Sequence, residues 1–215
     1  LYFLRSRHCL PGCEYCNSFT NEMIALKNIF GYDSFRKYGG ENLQQSAAKA
    51  AIDNKSLLAV FPTGGGKSIT FQLPALMAYK SVKGLTVVIS PLQSLMKDQV
   101  DNLAKKHGIT EAATINGQLT SLEVAAERKR IEDGEVAILY ISPESLRSKS
   151  MQSLLLKRNV VRFVIDEAHC FSVWGQTFRV DYQYIGEFIR NYQELKNMST
   201  NIPISCFTAT AKQRV

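Results

Sequence analysis

The chain has 215 residues, 45% of them hydrophobic and 21% charged, with 26 Lys and Arg against 19 Asp and Glu for a net charge of +7. That composition excludes intrinsic disorder, and a chain of this length buries roughly 70% of its unfolded surface, enough for one large domain. No apolar run reaches the roughly 18–20 residues of a membrane-spanning helix, and Arg5, Arg7 and His8 lead into Cys9 and Pro11 rather than into the apolar core of a secretory leader. The basic balance fits either a polyanionic partner or a solvated basic surface. Because the sequence opens on Leu1 and stops at Val215 just after a motif, it reads as a piece of a longer protein.

Residues 1–20 carry three of the five cysteines and little periodic hydrophobicity, and are expected to form a tail; 21–215 are expected to form the folded domain. From Met23 onward, short apolar runs alternate with amphipathic stretches. The runs Leu57–Phe61, Leu85–Ile89, Val136–Ile141, Val161–Ile165 and Ile202–Phe207 predict strands buried on both faces, with Ala112–Ile115 a weaker strand. Helical patterns fall at about 42–53, 67–80, 93–106, 120–132, 150–157 and 182–197. This alternation predicts an α/β fold with a mostly parallel sheet, helices on both faces and right-handed crossovers.

The first apolar run leads into Pro62-Thr63-Gly64-Gly65-Gly66-Lys67-Ser68 and then a helix. Glycines allow backbone N–H groups to approach a phosphate without a Cβ in the way, and the helix N-terminus adds its positive dipole end. Lys67 would reach the β/γ-phosphates of ATP and the Ser68 hydroxyl would ligate Mg²⁺. The usual loop pattern has Gly or Ala where this chain has Phe61. Val160–Ile165 ends in Asp166-Glu167-Ala168-His169. Carboxylates at the C-terminal end of a parallel strand lie where α/β folds bind ligands. Asp166 would hold Mg²⁺, and Glu167 would orient and deprotonate an attacking water.

Asp166-Glu-Ala-His-Cys-Phe-Ser-Val-Trp-Gly175 resembles the RecQ-type DNA helicases of superfamily 2. Further segments agree in order: Phe30-Gly-Tyr-Asp-Ser-Phe-Arg36 with Gln44, Ser90-Pro-Leu-Gln-Ser-Leu-Met-Lys-Asp-Gln-Val100, Tyr140-Ile-Ser-Pro-Glu-Ser-Leu146 and Phe207-Thr-Ala-Thr-Ala211. The Pro-Thr-Gly-x-Gly-Lys-Ser form of the phosphate loop is similar to that of helicase-type ATPases. The resemblance covers about 23–215 and implies the first RecA-like lobe of an ATP-dependent 3′→5′ DNA helicase, acting on single-stranded and forked DNA in a nucleoid or nucleus. It implies adenine stacking on Tyr32 and Arg36, with Gln44 at the base edge, and a phosphate cradle that includes Thr63, Gly64, Gly65 and Gly66. Ser90 and Ser142 would bind DNA phosphates. Trp174, Phe178 and Arg179 would form a loop that senses DNA, and His169, Thr208 and Thr210 would relay nucleotide state. Taken as residues alone, Trp174 also reads as core packing and Ser142-Pro143 as a turn or cap.

Three departures from the family pattern stand out. Lys37–Leu43 separate Arg36 from Gln44 where the family has about two residues, and the insertion around Gly39-Gly40 bears on Arg36 more than on Gln44. Val173 and Gln176 replace the usual Gln and His, and Val180 replaces a Pro. A second RecA-like lobe, which in this family supplies an arginine finger, is expected from elsewhere in the protein, so the 215 residues by themselves are expected to be nearly inactive. Two other readings share parts of this sequence: a nucleic-acid-stimulated remodelling or switch ATPase that does not separate strands, and a catalytically silent binding module.

His8-Cys9-x3-Cys13-x2-Cys16 is a candidate soft-metal cluster. Zinc, unligated thiols and an iron–sulfur group all fit the spacing. Cys170 and Cys206 read as buried thiols in a reducing cytoplasm.

Overall fold

The computed structural model describes residues 13, 16, 20–62, 64–171 and 176–209, the side chains of 176–179 excepted. In chain order the elements are α1 (Glu22–Phe30), α2 (Leu43–Ile52), β1 (Leu57–Val60), α3 (Ile69–Val82), β2 (Leu85–Ile89), α4 (Gln93–His107), β3 (Ala112–Ile115), α5 (Ser121–Glu132), β4 (Ile138–Ile141), α6 (Lys149–Leu156), β5 (Val160–Ile165), α7 (Gln176–Leu195) and β6 (Ile204–Thr208). Single 3₁₀ turns follow β4 at Pro143–Arg147 and β5 at Ala168–Phe171. Among the described residues the sheet has six strands in the order β1-β6-β5-β2-β4-β3, and every pair is parallel.

Alternate strand residues feed two apolar layers, as a period of two requires. Val88, Val164, Ile138 and Phe207 face one layer with α1–α4; Leu85, Val87, Leu139 and Phe163 face the other with α6 and α7. All five residues of β2 are buried, as expected of a strand covered on both sides. β1 departs from that expectation. It is an edge strand with alternating burial, Leu57 and Ala59 packing inward while Leu58 is 71% and Val60 44% exposed. Ala112–Ile115 proves a full strand, paired to β4 along its length.

Local chemistry sets the helix ends. Asn21 accepts from the Met23 and Ile24 amides to start α1, and Gly31, at φ 74°, ends it. Thr120 and Glu123 form a reciprocal capping box on α5. The long phosphate-loop helix α3 begins two residues later than its hydrophobic pattern, because Lys67 and Ser68 still belong to the turn. α7 begins six residues earlier than its pattern, its first turns extending back to Gln176.

Candidate nucleotide site

The parallel sheet brings the C-terminal ends of β1, β2, β4, β5 and β6 to one edge, and the chemistry-bearing residues sit there. Between β1 and α3 the chain turns sharply. Gly64 (φ 72°) and Gly66 (φ 67°) occupy the left-handed region, and Gly65 donates its amide to the Pro62 carbonyl at 2.9 Å. A Cβ on Gly65 would lie 2.7 Å from that same carbonyl, so the turn admits only glycine. Lys67 projects from this turn across the sheet edge. Its Nζ lies 2.8 Å from Asp166 Oδ1 and also bonds Glu167 Oε1.

Asp166 is nearly wholly buried, and desolvation raises its pKa despite the hydrogen bond and charge of Lys67. Burial also pulls on Lys67, which is less enclosed, but its hydrogen bonds and charge interactions with Asp166 and Glu167 outweigh that and hold its pKa above the ordinary value. One ammonium thus serves two carboxylates. Glu167 sits at φ 51°, uncommon for a residue with a Cβ, and its amide bonds Asp166 Oδ1 at 3.0 Å. His169 Nδ1 lies 3.2 Å from Glu167 Oε2 and 3.2 Å from Thr208 Oγ1, which brings the second carboxylate into contact with the end of β6.

A cavity of about 290 Å³ runs from the phosphate turn past Lys67, Asp166 and Glu167 to Ser90, Gln99 and Tyr140. A second cavity of about 300 Å³ adjoins it, lined by Tyr32, Arg36, Gln44, Ser68 and His107. The seven residues between Arg36 and Gln44 do not separate them. Tyr38 and Glu41 pair as a two-residue hairpin whose turn is Gly39 (φ 54°) and Gly40 (φ 89°), so the insertion closes on itself. Arg36 N then donates to Gln44 Oε1 at 2.7 Å, Gln44 Nε2 to the Gly66 carbonyl at 2.8 Å, and Arg36 Nη1 lies 3.5 Å from the Gly64 carbonyl. The base-side residues are therefore tied directly to the phosphate turn.

Other expected residues fall differently. Ser90 is 2% exposed and Ser142 3%, so both side chains are buried in this structure. Ser90 lines the phosphate cavity, and Ser142 precedes the 3₁₀ turn, its Oγ 2.9 Å from Ser145 Oγ. Thr63, Trp174, Thr210 and Cys9 lie outside the described residues, as do the side chains of Phe178 and Arg179 at the start of α7. Cys13 and Cys16 are described, but among the described residues no group of three or more His, Cys, Asp or Glu is placed to hold a metal, so the zinc expectation has no support. His107 was not anticipated: its ring meets Phe30 at 5.1 Å and Tyr32 at 5.9 Å, edge-on to both. It stands alone at a helix end, with no motif around it in the sequence to mark it.

The DEAD/DEAH box helicase family model matches residues 41–215. The chain belongs to that family. Membership brings ATP with Mg²⁺ as the general nucleotide and metal. Among this chain's relatives are the ATP-dependent DNA helicase RecQ of Haemophilus influenzae, 41% identical over 88% of this chain and 28% of the relative, and that of Synechocystis, 39% identical over 88% of this chain and 37% of the relative. The ATP-dependent DNA helicase Q5 of Rattus norvegicus is 37% identical over 88% of this chain and 18% of its own length. The chain thus spans well under half of the relatives it matches. Its fold is similar to that of the DUF1998 helicase MrfA, with a TM-score of 0.67 and 21% identity over 89% of this chain and 29% of the other. The helicase domain of Pyrococcus furiosus Hef is similar at a TM-score of 0.55 and 17% identity, over 80% and 33% of the two chains.

Among the described residues no helix is long and apolar enough to cross a membrane.

Proposed function

We propose that residues 21–215 are the ATP-binding lobe of a RecQ-type ATP-dependent 3′→5′ DNA helicase, with residues 1–20 a tail. One observation carries this reading: a phosphate-loop lysine at the end of β1 spans the sheet edge to two adjacent carboxylates at the end of β5, the next strand but one. In the presence of a triphosphate the Lys67 ammonium moves from the carboxylates toward the β/γ-phosphate oxygens, because those carry the larger charge. Glu167 is then released to orient a water and take its proton. The contact of His169 with both Glu167 and Thr208 gives β6 a direct connection to that base.

Ser68 and Asp166 line the same cavity and offer hard oxygen donors, which fit Mg²⁺ and not a thiophilic metal. They would hold it, and when bound it supplies positive charge against the β- and γ-phosphates. Tyr32 is 49% exposed and lines the same cavity as Arg36, so a purine would stack against them there. DNA phosphates would meet the uncapped N-terminus of α4, where Leu92 is the cap residue and makes no side-chain bond. The partners are single-stranded and forked DNA and a second RecA-like lobe of the same protein, at the chromosome.

The test is hydrolysis and strand separation by the full-length protein on a forked duplex. ATP turnover stimulated by single-stranded DNA, with displaced strands as product, is expected. Stimulated turnover without displaced strands would make the protein a remodelling or switch ATPase instead.

A further inference from the structure

The apolar layer between α3, α4 and the sheet contains a polar cluster, and it stands where three elements of the site converge. Gln72 is 6% exposed and Tyr140 2%. The Gln72 amide nitrogen donates both of its hydrogens, to Gln99 Oε1 at 2.9 Å and to the Tyr140 hydroxyl at 3.0 Å. The acceptors lie on different elements, Gln99 on α4 and Tyr140 on β4. Gln72 itself is one turn along α3 from the phosphate loop, and its backbone amide bonds the Ser68 carbonyl at 2.9 Å.

Burying a primary amide and a phenol costs stability unless both are satisfied, and two leucines of similar volume would satisfy the layer more simply. The cluster therefore needs another reason, and its placement supplies one. Gln99 belongs to the segment 90–100 and Tyr140 opens the segment 140–146, the two segments read as DNA-contacting. The phosphate cavity reaches Gln99 and Tyr140, and it is also lined by Asp166 and by Ser90, whose buried hydroxyl has no hydrogen-bond partner among the described residues. The bonds from Gln72 join the first turn of α3 to α4 and to the end of β4 together, so a displacement of α3 would be felt by both.

We propose that Gln72 is a positioning residue that couples nucleotide binding to DNA affinity, acting through Gln99 and Tyr140 on both DNA-contact segments. This rests on the helicase reading above. Coupling of this kind is a ratio of affinities, commonly about 5–150-fold. The experiment measures single-stranded DNA affinity of the full-length protein by fluorescence anisotropy, with and without a non-hydrolysable ATP analogue, for the wild type, Gln72→Leu and Tyr140→Phe. The wild type is expected to show an affinity ratio far from one. Gln72→Leu should bring the ratio close to one while leaving nucleotide-free DNA affinity near the wild-type value, and Tyr140→Phe, which removes one of the two bonds, should give an intermediate ratio. If both variants melt as the wild type does and keep its ratio, the proposal is overturned. If Gln72→Leu unfolds, Tyr140→Phe decides in the same way. A wild-type protein that binds DNA with a ratio of one overturns the coupling alone; one that neither binds DNA nor hydrolyses ATP overturns the helicase reading.

Discussion

At the C-terminal edge of the sheet the enclosed cation, Lys67, is shared by two carboxylates, Asp166 and Glu167. At the N-terminal edge two arginines are buried more deeply, Arg158 at 5% exposure and Arg162 at 4%, and among the described residues neither forms an ion pair. Arg162 donates to the carbonyls of Ala51 and Lys55 and to Ser205 Oγ, at 2.7, 3.0 and 2.9 Å. Arg158 donates to the carbonyls of Ile131, Val136 and Lys83. These carbonyls end helices or enter strands, so the guanidinium groups add donors to backbone acceptors at the ends of elements. Desolvation lowers the Arg162 pKa to about 10, and it stays charged. The lesson is that charge buried for structure is matched by fixed backbone dipoles, whereas charge enclosed for chemistry is matched by side chains that a ligand can displace. Glu167, with its positive φ, lies on the second kind of edge.

The largest effect that would test this contrast is at Lys67. Lys67→Ala should lower ATP turnover of the full-length protein by about 10²–10³-fold, the loss typical of removing one preorganised donor from developing negative charge, with little change in thermal stability. Turnover within a few-fold of wild type would show that the ammonium is structural. Arg162→Met should do the reverse. It removes three hydrogen bonds made by a buried guanidinium, so urea denaturation should show a loss of about 2–4 kcal/mol, while turnover per folded molecule persists. A smaller and more discriminating effect is expected at Asp166. Burial raises its pKa above the ordinary 3.8, so the folded chain favours the protonated form: the stability this carboxyl contributes is present below that value and is lost as pH rises through the raised pKa. Asp166→Asn should therefore raise the melting temperature at pH 7, and the gain should fade as pH drops toward 4. Hydrolysis should be lost at every pH. A lowered melting temperature at pH 7 would mean that the bond to Lys67 outweighs the burial.

Much of this arrangement is written in local pattern. The runs of Val, Ile and Leu mark the interior strands, and the glycines before Lys67-Ser68 mark a turn that only glycine can make. The reading of β1 as buried on both faces fails because burial depends on strand order, and nothing in Leu57–Val60 says that this strand stands at an edge. α1 carried its signals, Asn21 before it and Gly31 after it, yet its hydrophobic pattern is short and escapes a search for periodicity. The seven-residue gap between Arg36 and Gln44 is misleading for a different reason: spacing along the chain overstates distance when Gly39 and Gly40 fold the gap into a hairpin.

The sequence by itself determined the class of fold, the phosphate turn, the carboxylates that face it and the likeness to helicases, because each depends on residues adjacent in the chain or on one strand's period. Only the tertiary structure decided which serines face inward, that His107 walls the base cavity, that Gln72 meets Gln99 and Tyr140, and that Arg158 and Arg162 close the opposite edge. Those pairings join residues 22 to 111 positions apart. Contacts of that kind are set by how helices and strands pack, and no local propensity encodes them.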